Sequence, residues 1–231
     1  MPGCCDPYGF DQTFTSRFAR RSARSYRRRG LTGAGARIVR FVEEHGVAGA
    51  TVLEIGGGVG ELQIELLKRG AARATNLELS RAYEDEATAL IEANGFEGRV
   101  ERRFVDIAAG PGAVEGADLV EPADVVILHR VVCCYPDYDR LLSAAAQHAR
   151  RMVVFSFPPD HVVGRAVIAV ENAVFSLSNN PYRAFAHPSS EMEAVLERHG
   201  LPTVYRHRGA LWRVYGAVRE PARETTMVSA S

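Results

Sequence analysis

Residues 54–60, Glu-Ile-Gly-Gly-Gly-Val-Gly, form a glycine-rich turn between an apolar segment and a helical pattern. Glycine allows a sharp turn of the backbone and lets a ligand come close to the main chain. The N-terminus of a following helix offers free N–H groups to such a ligand. The spacing therefore predicts a cofactor-binding turn, whose candidate residues are Glu54, Gly56, Gly57, Gly58 and Gly60.

The glycine spacing also bears on the class of cofactor. A dinucleotide fingerprint, Gly-x-Gly-x-x-Gly, that starts at Gly56 needs its third glycine at position 61. That position holds Glu61, and the glycine lies at position 60. The spacing disfavours a nicotinamide-dependent oxidoreductase, which stays an alternative together with a non-catalytic cofactor-binding module.

Two acidic residues end or follow the next two apolar segments. Glu78 lies at the end of residues 74–79, and Asp106 follows residues 100–105. A carboxylate at the end of a second strand can accept hydrogen bonds from both hydroxyls of a ribose. Because the carboxyl ends of parallel strands meet at one edge of a sheet, we expect both acids to lie beside the glycine turn.

Seven segments are predicted as strands, and helical patterns separate most of them. The strands are residues 51–55, 74–79, 100–105, 124–129, 152–157, 202–207 and 211–218. The helices are residues 34–45, 61–69, 81–93, 138–149, 161–177 and 191–199, the last with a capping box from Ser190 to Glu193. This order predicts an α/β fold with a doubly wound, mostly parallel, seven-stranded sheet, closed by an antiparallel C-terminal hairpin that turns near Gly209.

The domain plan is one domain with additions. Residues 33–219 form the domain, and residues 1–32 are an arginine-rich helical cap in which Phe14, Phe18 and Tyr26 share one helix face. Residues 160–188 break the alternation and predict a lid-like insertion, with ordinary core packing as the alternative. We expect the cap to dock over the carboxyl edge of the sheet and residues 220–231 to be disordered.

The sequence resembles the class I S-adenosylmethionine-dependent methyltransferases over about residues 33–157. The run from Glu54 to Gly60, the acid Glu78 and the acid Asp106 carry the resemblance. It implies a Rossmann-like methyltransferase fold and S-adenosylmethionine as cofactor, with its methionine part on the glycine turn, its ribose on Glu78 and its adenine at Asp106. The neighbouring residues of this implied cofactor site are Leu79, Ser80, Ile107 and His129.

Three further segments resemble a bacterial group related to the magnesium-protoporphyrin O-methyltransferases. They are residues 129–137, 155–158 and 182–188. This resemblance implies a bulky or planar substrate. A porphyrin-type carboxyl O-methyltransferase is therefore an alternative to methyl transfer to an oxygen, or else a nitrogen, of an unidentified small molecule.

His129 follows the fourth predicted strand and should point into the cleft. Methyl transfer from a sulfonium needs little acid–base chemistry because the leaving group departs neutral. A base matters only for a protonated nucleophile, so His129 is either a catalytic base or substrate contact, or a hydrogen-bonded structural histidine. The candidates for substrate contact are Tyr26, Tyr135 and His187.

The composition excludes some classes of protein. The 231 residues are 46% hydrophobic and 24% charged, and 28 basic residues balance 28 acidic ones. This excludes a disordered or fibrous chain and gives no overall attraction to nucleic acid. Residues 17–29, rich in arginine, predict either a solvated helix face or a local site for an acidic substrate or RNA phosphates. We expect a small-molecule substrate and no nucleic-acid partner.

Membrane and metal roles are also disfavoured. No stretch approaches the ~20 apolar residues that a membrane span needs, so we expect a cytoplasmic protein without a span. The cysteine pairs Cys4-Cys5 and Cys133-Cys134 lack the C-x₂-C spacing of zinc sites. We expect inert thiols and no bound metal, with a soft-metal site formed by both pairs as the alternative.

Overall fold

The computed structural model describes residues 9–109 and 120–220. In these residues seven strands form one sheet, in the order β3-β2-β1-β4-β5-β7-β6. The strands are β1 (Thr51–Ile55), β2 (Arg73–Leu77), β3 (Val100–Arg103), β4 (Ala123–His129), β5 (Ala149–Phe157), β6 (Thr203–Arg208) and β7 (Arg213–Val218). β7 runs antiparallel to β5 and β6, and the other neighbours are parallel. The predicted fold class is confirmed.

Helices cover both faces of this sheet. Those of the described residues are α1 (Phe10–Thr13), α2 (Ser16–Arg29), α3 (Gly33–Glu44), α4 (Glu61–Lys68), α5 (Glu84–Ala93), α6 (Tyr138–Gln147), α7 (Val162–Leu177) and α8 (Ser189–Arg198). The central strand β4 shows why two layers form. Val126 and Leu128 join one apolar cluster with α6 and α8, whereas Val125 and Ile127 join another with α3 and α4. Alternate side chains of a strand point to opposite faces, so an apolar strand needs cover on both.

The strand register brings the predicted site together. Ile55 of β1 pairs with Leu77 of β2, which pairs with Arg103 of β3. Glu54 pairs with Ile127 of β4. The residues that follow these pairs therefore leave the sheet at the same edge, which we call the carboxyl edge.

Two strands end earlier than predicted. β2 ends at Leu77 and β3 at Arg103, each two residues before the predicted end. The Glu78 carboxylate accepts hydrogen bonds from the backbone N–H groups of Leu79 and Ser80, which form a turn there in place of strand pairing. The predicted helix over residues 81–93 begins as a 3₁₀ turn, Arg81–Tyr83, because the Ser80 hydroxyl caps it by accepting from Ala82 N–H.

The predicted capping box at Ser190 is wrong. α8 begins at Ser189, two residues earlier than that box requires, and Pro188 precedes it. The Ser189 hydroxyl and N–H both donate to Asp160, at 3.0 and 2.8 Å. The Asp160 side chain, which precedes α7, therefore accepts the hydrogen bond of a free N–H group at the start of α8. The local sequence of α8 could not reveal this distant partner.

The prediction that three aromatic residues share one face of the N-terminal helix is also wrong. Phe14 lies in the turn between α1 and α2, and Phe18 is 46% exposed. The buried face of α2 consists of Ala19, Ala23 and Tyr26. The small side chains of Ala19 and Ala23 let α2 pack closely on the domain, and Tyr26 is the aromatic residue of this buried face.

The predictions for the Cys4-Cys5 pair and for the C-terminal tail concern residues outside these ranges, and the prediction about membrane spans is tested only within them. Cys4 and Cys5 lie outside the described residues, and so does most of the predicted tail, residues 221–231. No helix within the described ranges combines the length and apolar character needed to cross a membrane.

Candidate functional site

A cavity of about 740 Å³ opens at the carboxyl edge of the sheet. Strand ends, the N-terminal helices and α7 all contribute to its lining. The predicted site residues in its lining are Glu54, Gly56, Gly57, Gly58, Glu78, Leu79, Asp106, Ile107, His129 and Tyr135. Gly60, Ser80, Tyr26 and His187 lie outside it.

The glycine turn is packed tightly against the protein. Gly56 has a φ of 63°, in the left-handed region that favours glycine. A Cβ on Gly57 would lie 2.3 Å from Nδ2 of Asn76, a buried side chain of β2. Glycine is therefore required at this turn for packing against β2, as well as for the close approach of a ligand that the sequence predicts.

Glu78 links β2 to the glycine turn. One carboxylate oxygen accepts from Gly58 N–H at 2.8 Å, and the other accepts from the N–H groups of Leu79 and Ser80 at 2.8 and 3.1 Å. A carboxylate offers about four acceptor positions, so one remains for a ligand hydroxyl. Burial raises the pKa of Glu78, and the three N–H bonds oppose that rise.

Asp106 and Tyr135 both line the cavity and are joined by a hydrogen bond. The Tyr135 hydroxyl donates to Asp106 Oδ2 at 3.0 Å, and Ala108 N–H donates to Oδ1 at 2.9 Å. The structure thus brings the predicted substrate contact Tyr135 to the acid of the implied adenine site. Ile107, the neighbour of Asp106, adds apolar surface there.

Two further acids at the turn are buried. Glu54 is 1% exposed, and its carboxylate accepts from Gln63 N–H at 3.3 Å. Burial and then the negative charge of Glu61 raise the pKa of Glu54 well above its ordinary value. Burial also raises the pKa of Glu61, and the positive charge of Arg130 opposes this. A positively charged ligand would be favoured beside these carboxyl groups.

His129 lies at the end of β4 and faces the cavity. Its Nδ1 is 2.8 Å from the Ser156 hydroxyl oxygen, which also accepts from Arg130 N–H at 3.0 Å. Burial, followed by the charge of Arg130, lowers the His129 pKa to about 3. The imidazole is therefore neutral near pH 7 and offers hydrogen bonding with little affinity for a proton.

The N-terminal arm, residues 9–32, forms one side of the cavity. Phe10, Phe14 and Phe18 line it. The Phe14 ring lies 5.6 Å from that of Tyr182 and 6.5 Å from that of Tyr83, measured between centroids. The arm thus packs on both the region after β2 and the segment after α7.

Two predicted substrate contacts are held elsewhere. The Tyr26 hydroxyl donates to Glu65 at 2.7 Å on α4 and accepts from Lys68, so Tyr26 anchors α2 to the domain. The His187 ring stacks on Phe185, and its Nε2 is 2.9 Å from the Tyr135 carbonyl oxygen. Neither residue is part of the cavity lining, and a contact of either with substrate stays a prediction.

Cys133 and Cys134 are free thiols at the cavity, with their sulfur atoms 3.8 Å apart. The Tyr182 hydroxyl donates to Cys134 Sγ at 3.0 Å. Hydrogen bonding to Cys134 raises the pKa of Cys133, and the same bond lowers that of Cys134. No group of three or more potential metal-binding side chains is found among residues 9–109 and 120–220.

Sequence reasoning missed several aromatic residues of the cavity, among them Tyr83 and Trp212. Tyr83 follows the turn after Glu78, and Trp212 precedes β7. Trp212 is the one tryptophan of the chain and lies in the C-terminal hairpin, so it could have been chosen from the sequence as a candidate site residue. The arrangement of Tyr83 depends on contacts with the arm, and no local pattern encodes it.

A family model described as "Methyltransferase domain" matches residues 23–204. This range includes the glycine turn, both strand-end acids and the strands up to the start of β6. No curated protein matches the sequence significantly.

Solved structures share the fold at low sequence identity. Magnesium protoporphyrin IX methyltransferase from Synechocystis PCC 6803, with bound SAH, is 21% identical with a TM-score of 0.67, over 90% of this chain and 97% of that one. An O-methyltransferase family protein from Burkholderia thailandensis is 20% identical with a TM-score of 0.67, over 89% and 59%. An O-methyltransferase family 2 protein from Planctomyces limnophilus, in complex with apigenin, is 18% identical with a TM-score of 0.62, over 89% and 62%.

Proposed function

The chain belongs to the methyltransferase-domain family that it matches over residues 23–204, and we propose that it transfers a methyl group from S-adenosylmethionine to an oxygen of a small molecule. One observation carries the proposal: the glycine turn and the acids Glu78 and Asp106 line a single cavity at the carboxyl edge. In open α/β sheets this edge is where ligands bind.

The donor set suits this cofactor. Glu78 has an acceptor position left for a ribose hydroxyl, and Asp106 and Ile107 provide a polar and an apolar contact for adenine. S-adenosylmethionine supplies a methyl group on a positively charged sulfur. The buried carboxyl groups of Glu54 and Glu61 favour a positive charge in the cavity.

The chain's contribution to methyl transfer is alignment and exclusion of water. The arm and α7 both line the cavity, through Phe14 and Phe18 on one side and Val167 and Ile168 on the other. We propose that residues 1–32 form a cap and that residues 160–188 form a lid over the substrate. His129, with its low pKa, serves as a neutral hydrogen-bond partner and not as a strong base.

An oxygen acceptor is supported by the neighbours, since two of them are described as O-methyltransferase family proteins. A porphyrin-type carboxyl methyltransferase is the second candidate. It is favoured by the match to magnesium protoporphyrin IX methyltransferase, which spans 97% of that chain, against 59% and 62% for the other two.

Calorimetry on the full chain tests the proposed cofactor. We expect S-adenosylmethionine and S-adenosylhomocysteine to bind and NAD to give no heat of binding. A screen for methylated products among phenols and carboxylic acids then tests turnover. Binding of NAD without binding of either sulfur compound would refute the cofactor assignment, and binding without turnover on any acceptor would favour a non-catalytic module.

A further inference from the structure

Arg130 is the one arginine or lysine among the described residues that line the cavity. The carboxylic acids in the lining are Glu54, Glu61, Glu78, Asp106 and Glu171. Arg130 is exposed, so a ligand of opposite charge can reach it from the cavity. No described carboxylate lies within 4.0 Å of the Arg130 guanidinium, although its charge opposes the raised pKa of Glu61.

The backbone of Arg130 is held in an unusual conformation. Its φ is 61°, in the left-handed region that residues other than glycine rarely adopt. Its N–H donates to the Ser156 hydroxyl at 3.0 Å, and the Cys134 thiol donates to its carbonyl at 3.4 Å. Strained backbone of this kind is found at functional sites more often than elsewhere.

The guanidinium lies over the ring of Trp212, 4.9 Å from the centroid. Trp212 directly precedes β7, which pairs with β5 and lies on the side of β4 opposite to β1 and its glycine turn. The guanidinium therefore lies beside the C-terminal hairpin, on the β5–β7 side of the cavity. Stacking uses one face of a guanidinium and leaves its edge N–H groups for a planar acceptor.

We infer that Arg130 binds a carboxylate of the methyl acceptor, and that the acceptor is a carboxylic acid with an apolar body. This rests on the proposed function. A guanidinium binds a carboxylate through two parallel N–H bonds, which fixes both position and orientation. The apolar residues Leu211, Trp212 and Val163 line the same cavity and provide contact for the body of the molecule.

The cofactor also carries a carboxylate, so the test must separate the two sources. The probes are pyrene-1-carboxylate and its neutral amide, pyrene-1-carboxamide, added to protein saturated with S-adenosylhomocysteine. Pyrene fluorescence reports binding. We expect the acid to bind at least about tenfold more tightly than the amide, because the bond to a charged partner is lost in the amide.

The variant Arg130→Asn removes the charge and keeps a residue that tolerates the left-handed conformation. We expect it to bind the acid and the amide equally, with unchanged affinity for S-adenosylhomocysteine. Arg165→Gln is the matched control, because Arg165 lies on α7 outside the cavity lining, and it should retain the preference for the acid.

Three outcomes would overturn the inference. The wild type could bind acid and amide alike or bind neither, or Arg130→Asn could keep the preference for the acid. A roughly tenfold or larger loss of S-adenosylhomocysteine affinity in Arg130→Asn would assign the guanidinium to the cofactor instead. If the wild type does not bind S-adenosylhomocysteine at all, the proposed function itself has failed, which this first titration reveals separately.

Discussion

Glu78 has two tasks at the residue scale. It fixes the end of β2 to the glycine turn through Gly58 N–H, and it presents its remaining acceptor position to the cavity. Its raised pKa reflects burial that three N–H bonds only partly offset. A ligand hydroxyl that donates to this carboxylate would add a further favourable bond to the charged form.

Glu78→Ala should weaken binding of S-adenosylhomocysteine by roughly 1.5–3 kcal/mol, the usual contribution of hydrogen bonds to a charged acceptor. Calorimetry measures the affinity, and circular dichroism verifies the fold. Glu101→Ala is the control, because Glu101 is an exposed acid of β3 whose carboxylate pairs with Arg103. A folded Glu78→Ala protein with wild-type affinity would show that this acid does not hold the cofactor.

His129 predicts a particular dependence of stability on pH. Its pKa is lowered from 6.5 to about 3 in the folded protein. Between these values the unfolded chain binds more protons at this residue, so its contribution to stability is present above about pH 6.5 and is lost as the pH falls. Relative to His129→Asn, the wild type should lose up to about 1.4 kcal/mol of unfolding free energy per pH unit in this range.

Urea unfolding of both proteins between about pH 7 and about pH 4.5 measures this difference. Comparing the two proteins cancels the titration of groups that they share. A difference that stays constant across the range would mean that His129 titrates as it does in the unfolded chain. The assignment of a neutral His129 imidazole in the folded protein would then be wrong.

At the element scale, the glycine turn depends on the strand beside it. Asn76 of β2 is buried, and its side-chain amide has no hydrogen-bond partner among the described residues. It occupies the space that a Cβ on Gly57 would need. A glycine run read from sequence indicates ligand contact, but here its tightest contact is with the protein.

Gly57→Ala should destabilise the protein by about 1–3 kcal/mol, the usual cost of an added methyl group in a tightly packed site. Asn76→Ala should relieve that overlap, so the double variant should be more stable than the sum of the two single effects. Thermal or urea unfolding of the four proteins measures the coupling. Additive effects would show that Asn76 is not what excludes a side chain at position 57.

Elements with strong local signals could be predicted, and elements that depend on distant contacts could not. Apolar periodicity predicted all seven strands and the helices between them, because each segment must bury its own apolar side chains. The end of β2 was misplaced because the Glu78 side chain forms the turn. The contact of Trp212 with Arg130 and the hydrogen bond of Tyr26 to Glu65 could not be predicted, because the partners are distant in sequence.

At the scale of the whole molecule, the arm connects two distant parts of the chain. Asn180 Nδ2 donates to the Thr13 hydroxyl at 3.0 Å, and the Ser80 hydroxyl donates to the Phe14 carbonyl at 3.2 Å. The arm therefore bridges the region after β2, where the implied cofactor site lies, and the segment after α7. Any ligand between them would contact a surface made by all three.

This arrangement predicts that a bound cofactor protects the arm from proteolysis. Arg17, Arg21 and Arg24 are exposed on α2 and offer sites to trypsin, which cuts when α2 detaches and unfolds locally. A ligand that contacts the arm and the domain stabilises the docked form, so S-adenosylhomocysteine should slow cleavage there. Phe14→Ala removes the ring between Tyr83 and Tyr182 and should speed cleavage and weaken that protection. Equal cleavage rates with and without the ligand would show that the arm is not part of the binding site, and its arginines would then be no more than a solvated face of the molecule.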